Sequence, residues 1–125
     1  MPLTTWVTLA AIALYLWTSY MVAFARARYK VKAPSMEGPP EFLVRYRVQM
    51  NTLEQLPVLL APMWTCAFAL GDRWAAAGGL AWCVGRLVYA LAYYRDPAKR
   101  GPGFSIAFVA SAALMVGTAV GLVTR

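Results

Sequence analysis

Two stretches of this chain, Leu3 to Ala25 and Ser105 to Val123, contain no charged residue. A run of about 20 mainly apolar residues is what a helix needs to cross a bilayer, and a surface of that kind is costly to leave in water. Composition extends the point: the chain is 61% hydrophobic and 14% charged, where soluble domains carry about a quarter charged residues. Cut at its polar loops, the sequence yields four helical pieces at about 3–25, 41–70, 75–94 and 105–123. The expected fold is therefore an all-α integral membrane protein, one domain built as a bundle of four transmembrane helices. Leu3 to Ala25 is too long for a signal-peptide core and runs into basic residues instead of a cleavage site, so it is expected to stay as a helix.

The net charge of +7 is placed unevenly. Arg26, Arg28, Lys30 and Lys32 follow the first piece, Arg45 and Arg47 open the second, and Arg95, Lys99 and Arg100 lie between the third and fourth. The opposite side holds only Arg73 and Arg125. Basic residues beside apolar spans argue against a nucleic-acid-binding domain. By the positive-inside rule they put the first and third loops in the cytoplasm, with both termini and the Gly71-Asp72-Arg73 turn across the membrane. Alanine, glycine and arginine usage points to a bacterial inner membrane. Cys66 and Cys83 have no partner at metal-ligand spacing and read as packing residues. Histidine is absent, so no metal site is expected and any chemistry falls to Arg, Tyr, Glu or a cofactor's own group.

Gly38-Pro39-Pro40-Glu41 reads as the start of the second helix, with prolines in the first turn and an acid at the N-terminus. From Glu41 to Leu70 it would span about 45 Å against a hydrocarbon core of about 30 Å, so its first turns must protrude. Asn51 and Glu54 then lie at the membrane edge, and Pro57 and Pro62 are expected to kink the helix. Arg47, Asn51 and Glu54 fall within an arc of about 60°, a single polar stripe, whereas Gln49 points about 160° away, toward a different neighbour. Arg86, Tyr89 and Tyr93 share one face of the third helix. The topology brings these stripes to one end of the bundle with Arg26 and Arg100. In the fourth helix Ala113, Gly117 and Gly121 recur every four residues, a pattern that serves packing within a subunit as well as contact between subunits.

Ionisable residues inside a membrane are costly and default to a functional reading. The bland alternative is that Arg26 and Arg47 reach lipid phosphates and that Glu54 pairs with Arg86 to hold two helices together. Neither role requires Asn, Glu and two Tyr at helical spacing, so the set as a whole is read as a site. Arg86 is the exception, and a structural ion pair is expected for it. Several arginines, one Glu, one Asn and two phenols suit a small zwitterion with more than one carboxylate: arginine forks clamp the carboxylates and Glu54 takes an ammonium group. A phenol or arginine beside a thiol would stabilise the thiolate.

Ala25-Arg26, then Gly38-Pro39-Pro40-Glu41-Phe42, then the unbroken run Arg47-Val48-Gln49-Met50-Asn51-Thr52-Leu53-Glu54-Gln55-Leu56-Pro57, and later Arg86-Leu87-Val88-Tyr89 with Tyr93 and Arg100 form a specific pattern. It resembles the membrane-associated proteins in eicosanoid and glutathione metabolism, a family that includes microsomal glutathione transferases and the cysteinyl-leukotriene synthase. The resemblance implies a homotrimer binding glutathione between subunits near the cytoplasmic face. It implies that Arg47, Asn51, Glu54, Tyr89 and Tyr93 hold the tripeptide from one subunit, that Arg26 and Gln49 reach in from the next, and that Arg100 is the catalytic arginine, stabilising the thiolate.

Three departures qualify the likeness. Ala27 replaces a second arginine of the leukotriene synthase, Ala112 replaces the tryptophan against its lipid substrate, and Tyr94-Arg95-Asp96-Pro97 alters the loop before Arg100. The expected activity is addition of glutathione to a hydrophobic electrophile from the bilayer, or reduction of a lipid hydroperoxide, without leukotriene synthesis. Two rivals remain at this point. One is a lipid-presenting scaffold of the same family, disfavoured because Arg26, Arg47 and Arg100 are all present. The other is a four-helix multidrug transporter, disfavoured because Leu3 to Ala25 lacks the carboxylate such transporters carry in their first helix.

Overall fold

The computed structural model describes all 125 residues as helices and connecting turns. Helix α1 runs Pro2–Tyr29, α2 Pro40–Ala69, α3 Asp72–Arg95 and α4 Gly101–Val123, with a single 3₁₀ turn, Pro97–Lys99, ahead of α4. The helices outrun the apolar stretches that announce them. α1 continues through the basic cluster until Lys30 takes a left-handed conformation, its N–H donating to the Arg26 carbonyl. Gly71, at φ 142°, makes the tight connection between α2 and α3, a backbone conformation that only glycine adopts freely.

Three helical segments, Pro2–Tyr29, Asp72–Arg95 and Pro97–Val123, are long and apolar enough to cross a membrane. The 30-residue α2 falls short of that apolarity because its first half carries the polar stripe, although it remains one helix through Pro57 and Pro62. Large apolar side chains such as Leu16, Phe24, Phe108 and Val116 lie exposed on the outer faces of α1 and α4, the arrangement expected where the surrounding solvent is lipid.

α1 and α4 each pack on both α2 and α3, with the closest association between α3 and α4. Leu59, Met63, Trp82, Ala107 and Leu114 form the middle of the core. Small residues set the approach distances. A Cβ on Gly103 would collide with the backbone N of Tyr89 and lie 2.7 Å from the carbonyl oxygen of Gly85, and one on Gly85 would lie 2.7 Å from the backbone N of Ala107. Gly117 and Gly121 do the same against α2, where they meet Cys66 and the Ala69 carbonyl. Gly117 and Gly121 of the α4 pattern therefore serve packing within the subunit, while Ala113 lies exposed.

The chain ends are also tied. The Asp72 carboxylate accepts from the backbone N–H of Thr4 at 2.9 Å and of Leu3 at 3.1 Å, and from the Thr4 hydroxyl at 2.7 Å. It thus serves the free N–H groups at the start of α1, which α1 itself cannot satisfy. At the same end Arg125 donates to the Phe68 carbonyl at 2.9 Å. Both termini and the α2–α3 turn accordingly share one end of the bundle, and the two strongly basic loops share the other.

Candidate functional site

At the basic end, a cavity of about 370 Å³ opens between three helices. Its wall is built from Asn51, Glu54 and Gln55 of α2, Arg86 and Tyr89 of α3, and Arg100, Gly101 and Phe104 at the start of α4. The close α3–α4 crossing at Gly85 and Gly103 is what sets the first turn of α4 beside Tyr89. That turn presents backbone N–H groups with no partner in their own helix and the positive end of the helix dipole.

Several interactions hold the wall in shape. Asn51 donates to the Tyr89 hydroxyl at 2.7 Å, linking α2 to α3. Tyr89 packs on Tyr93 with ring centroids 5.5 Å apart. The Arg100 guanidinium sits 5.6 Å from the Tyr93 ring centroid and donates to the Pro97 carbonyl at 2.7 Å. The altered loop before Arg100 supplies its own order: the Asp96 carboxylate accepts from the Ala98 N–H at 3.0 Å and starts the 3₁₀ turn. Arg100 is thus tethered at the cavity mouth while its side chain stays exposed.

Of the residues read from the sequence, Asn51, Glu54, Tyr89 and Arg100 line the cavity, and Tyr93 adjoins it through Tyr89 and Arg100. Arg47 is exposed, one turn before Asn51. Gln49 and Arg26 lie elsewhere. Gln49 donates to Ser19 at 3.0 Å and to Tyr15 at 3.4 Å, so the neighbour it faces is α1 of its own chain. Arg26 donates to the Ser35 carbonyl at 2.7 Å and lies 5.0 Å from the centroid of Phe42. Within a single subunit the cavity wall comes from α2, α3 and α4, and α1, packed on both α2 and α3, adds no wall residue.

A correction concerns Arg86. Its expected ion pair with Glu54 is not formed. Glu54 is exposed and Arg86 is only 2% exposed, and the guanidinium is turned over the Tyr89 ring, 4.1 Å from the centroid. Its Nε and Nη2 are buried with no hydrogen-bond partner. A desolvated cation over a phenol ring gains about 2 kcal/mol, less than the several kcal/mol it costs to take the charge out of water.

The cavity therefore combines two arginines and a helix N-terminus with one carboxylate, an excess of positive potential suited to an anionic ligand that also carries a cationic group. The model of the MAPEG family matches residues 4–120 of this sequence. The chain belongs to the MAPEG family. Relatives are spread widely. An uncharacterized protein of Synechocystis is 40% identical over 111 residues, 89% of this chain and 81% of that one. Bovine leukotriene C4 synthase is 36% identical over 94 residues, 75% of this chain and 63% of that one. Bovine microsomal glutathione S-transferase 2 is 33% identical over 101 residues, 81% of this chain and 69% of that one. Family membership together with three suitable helices makes this a multi-pass membrane protein.

Three wall residues of this MAPEG protein were not anticipated: Gln55, Gly101 and Phe104. Gln55 follows Glu54 directly and sits about 100° from it around the helix, so the stripe rule passes over it. Gly101 and Phe104 belong to an α4 that starts earlier than its apolar run. The Gly101-Pro102 pair after Arg100 was the available signal, since proline favours the first helical turn.

Proposed function

We propose that this MAPEG protein is a membrane-bound glutathione transferase that adds the glutathione thiolate to hydrophobic electrophiles drawn from the bilayer, with lipid hydroperoxide reduction as a related activity. The observation that carries the reading is the composition of the cavity wall: Asn51, Glu54 and Tyr89 on one side, and Arg100 at the N-terminus of α4 on the other. Glutathione has a thiol between two ends that bear carboxylates, one of them also an ammonium group. Glu54 takes the ammonium. Asn51 and Tyr89, already bonded to each other, supply a fixed acceptor and donor for the peptide. Arg100 and the first turn of α4 provide the positive field that favours thiolate over thiol. The thiolate sulfur then bonds the electrophilic carbon while the electron pair passes to the leaving group or, in an addition, into the acceptor's conjugated system, and a field that raises the thiolate fraction at neutral pH speeds that step.

In this reading α2 is the fourth membrane span, its polar half lying at the cytoplasmic edge. The protein acts as a homotrimer in a bacterial inner membrane. Support for an assembly comes from the position of Arg26 and Gln49. Gln49 bonds Ser19, and Ser19 and Arg26 are seven residues apart on one face of α1, so both lie on a side of the subunit away from its own cavity. A neighbouring copy would bring that face to a cavity, with Arg47 exposed between them to meet a second carboxylate.

The test is glutathione binding to the purified protein in detergent, followed by ultraviolet thiolate absorbance in wild type and in Arg100→Ala. Wild type is expected to bind glutathione at millimolar concentration or below and to show the thiolate band, and Arg100→Ala to bind but lose most of it. Absence of binding would sink the transferase in favour of a lipid-presenting scaffold. Binding with an undiminished band in Arg100→Ala would leave the site standing and remove Arg100 from the chemistry.

A further inference from the structure

The seam between α1 and α3 carries a groove of about 400 Å³ that the proposed function leaves unused. Its lining is wholly apolar: Ala10, Ala13, Leu14 and Trp17 from α1, and Cys83, Val84 and Leu87 from α3. In a multi-pass membrane protein such a surface meets acyl chains, and apolarity by itself selects none of them. What distinguishes this seam is the end that lies toward the basic loops.

Both helices run toward the basic end, so Trp17 and Leu87 stand at that end of the groove. There Trp17 packs edge-on against Tyr94 of α3, with ring centroids 5.8 Å apart. The Arg45 guanidinium of α2 lies in turn 5.4 Å from the Tyr94 ring centroid. One Arg45 nitrogen donates to the Glu41 carbonyl at 2.8 Å, and the others have no partner in the chain and are not enclosed. From the middle of the bundle outward, the order is thus apolar groove, aromatic pair, cation with unpaired nitrogens. A membrane phospholipid has the matching order of acyl chain, ester-linked glycerol and phosphate. Trp and Tyr favour the interfacial layer, and basic pockets between membrane helices bind anionic head groups.

The position suits a lipid better than a second copy of the chain. At about 100° per residue, Ala10, Ala13 and Trp17 lie roughly opposite Ser19 and Arg26 around α1. The groove and the side proposed above for a neighbouring subunit therefore face different ways.

We infer that the α1–α3 groove holds one anionic phospholipid, with an acyl chain lying from Ala10 to Trp17 and the phosphate bound by Arg45. Such a site is separate from the cavity at the start of α4 and would persist in a protein that bound no glutathione.

The intact protein in detergent, titrated with dioleoyl phosphatidylglycerol or dioleoyl phosphatidylcholine and read by native mass spectrometry, provides the test. The two lipids share their acyl chains, but in phosphatidylcholine the choline cation balances the phosphate. Wild type is expected to hold the first phosphatidylglycerol per subunit about tenfold or more tightly than phosphatidylcholine, the range for a hydrogen bond to a charged group. In Arg45→Gln the two lipids should bind within about twofold of each other. Arg28→Gln removes an exposed charge at the same end, on a residue outside the groove, and should leave the preference as in wild type. Ala13→Trp fills the groove without changing charge and should weaken both lipids. Equal binding of the two lipids by wild type overturns the site. So does an equal loss of preference in Arg28→Gln and Arg45→Gln, the mark of a diffuse basic surface, and so does unaltered binding in Ala13→Trp. Should Arg45→Gln not fold, Arg28→Gln and Ala13→Trp decide between a formed site and that diffuse surface.

Discussion

Replacing Gly103 by alanine tests the step on which the site's geometry depends, the contact between α3 and α4. An added Cβ would collide with the Tyr89 backbone and sit 2.7 Å from the Gly85 carbonyl, where ordinary contact begins at 3.4 Å. The helices must therefore separate by about 0.7 Å or more, and neither obstacle is a side chain that can rotate away. Overpacking of this kind costs up to about 3 kcal/mol. Alanine recovers about 1 kcal/mol through its higher helix propensity, so the net loss is about 2 kcal/mol. Because the displaced turn carries Arg100 and Gly101, the same substitution should weaken glutathione binding by roughly tenfold, the equivalent of one impaired charge-assisted hydrogen bond. Thermal unfolding in detergent should show a midpoint several degrees below wild type, and calorimetric titration the weaker binding. Gly101→Ala is the control for stability, since a Cβ there meets nothing within 4 Å. If Gly103→Ala melts with wild type and binds glutathione equally well, α3 and α4 do not cross as described and the placement of Arg100 beside Tyr89 loses its basis.

Other consequences can be checked separately. Asp72→Ala leaves the N–H groups of Leu3 and Thr4 without their acceptor and should destabilise the protein by about 1 kcal/mol, read as a lower melting temperature with glutathione affinity unchanged. Tyr89→Phe removes the acceptor of the Asn51 amide and should cost about 1–3 kcal/mol. Combined with Asn51→Ala its effect should be clearly less than additive, because both changes break one hydrogen bond. Gly121→Val would drive a side chain into the Ala69 backbone and should reduce the yield of folded protein in membranes, with Gly101→Val tolerated there by comparison.

Much of the bundle was legible in the residues because the bilayer imposes length and apolarity on each helix separately. The uninterrupted runs in α1 and α4 announce two helices at once. The turn at Gly71 announces the boundary between α2 and α3 through a backbone conformation reserved for glycine. The polar stripe of Arg47, Asn51 and Glu54 was equally plain, since helical periodicity fixes angles within one helix. Where the reading erred, it had to choose a partner across a gap. Gln49, set opposite the stripe, donates to Ser19 on α1 within its own chain, a contact that periodicity could not name. Arg86 and Glu54 looked like an ion pair because opposite charges lay at similar depth. Instead the guanidinium is turned over Tyr89 and away from the exposed carboxylate.

The sequence by itself determined four helices and the gathering of polar residues at the basic end. Those properties follow from hydrophobicity and the period of 3.6, which act along one helix at a time. Tertiary structure alone decided that the cavity draws on α2, α3 and α4 but not α1, that the first turn of α4 joins its wall, and that Arg86 is buried without an anion. These are matters of which helix faces come together and how closely. At Gly85 and Gly103 that distance is set by the absence of a single carbon atom on each residue, a detail whose effect depends on the backbone opposite.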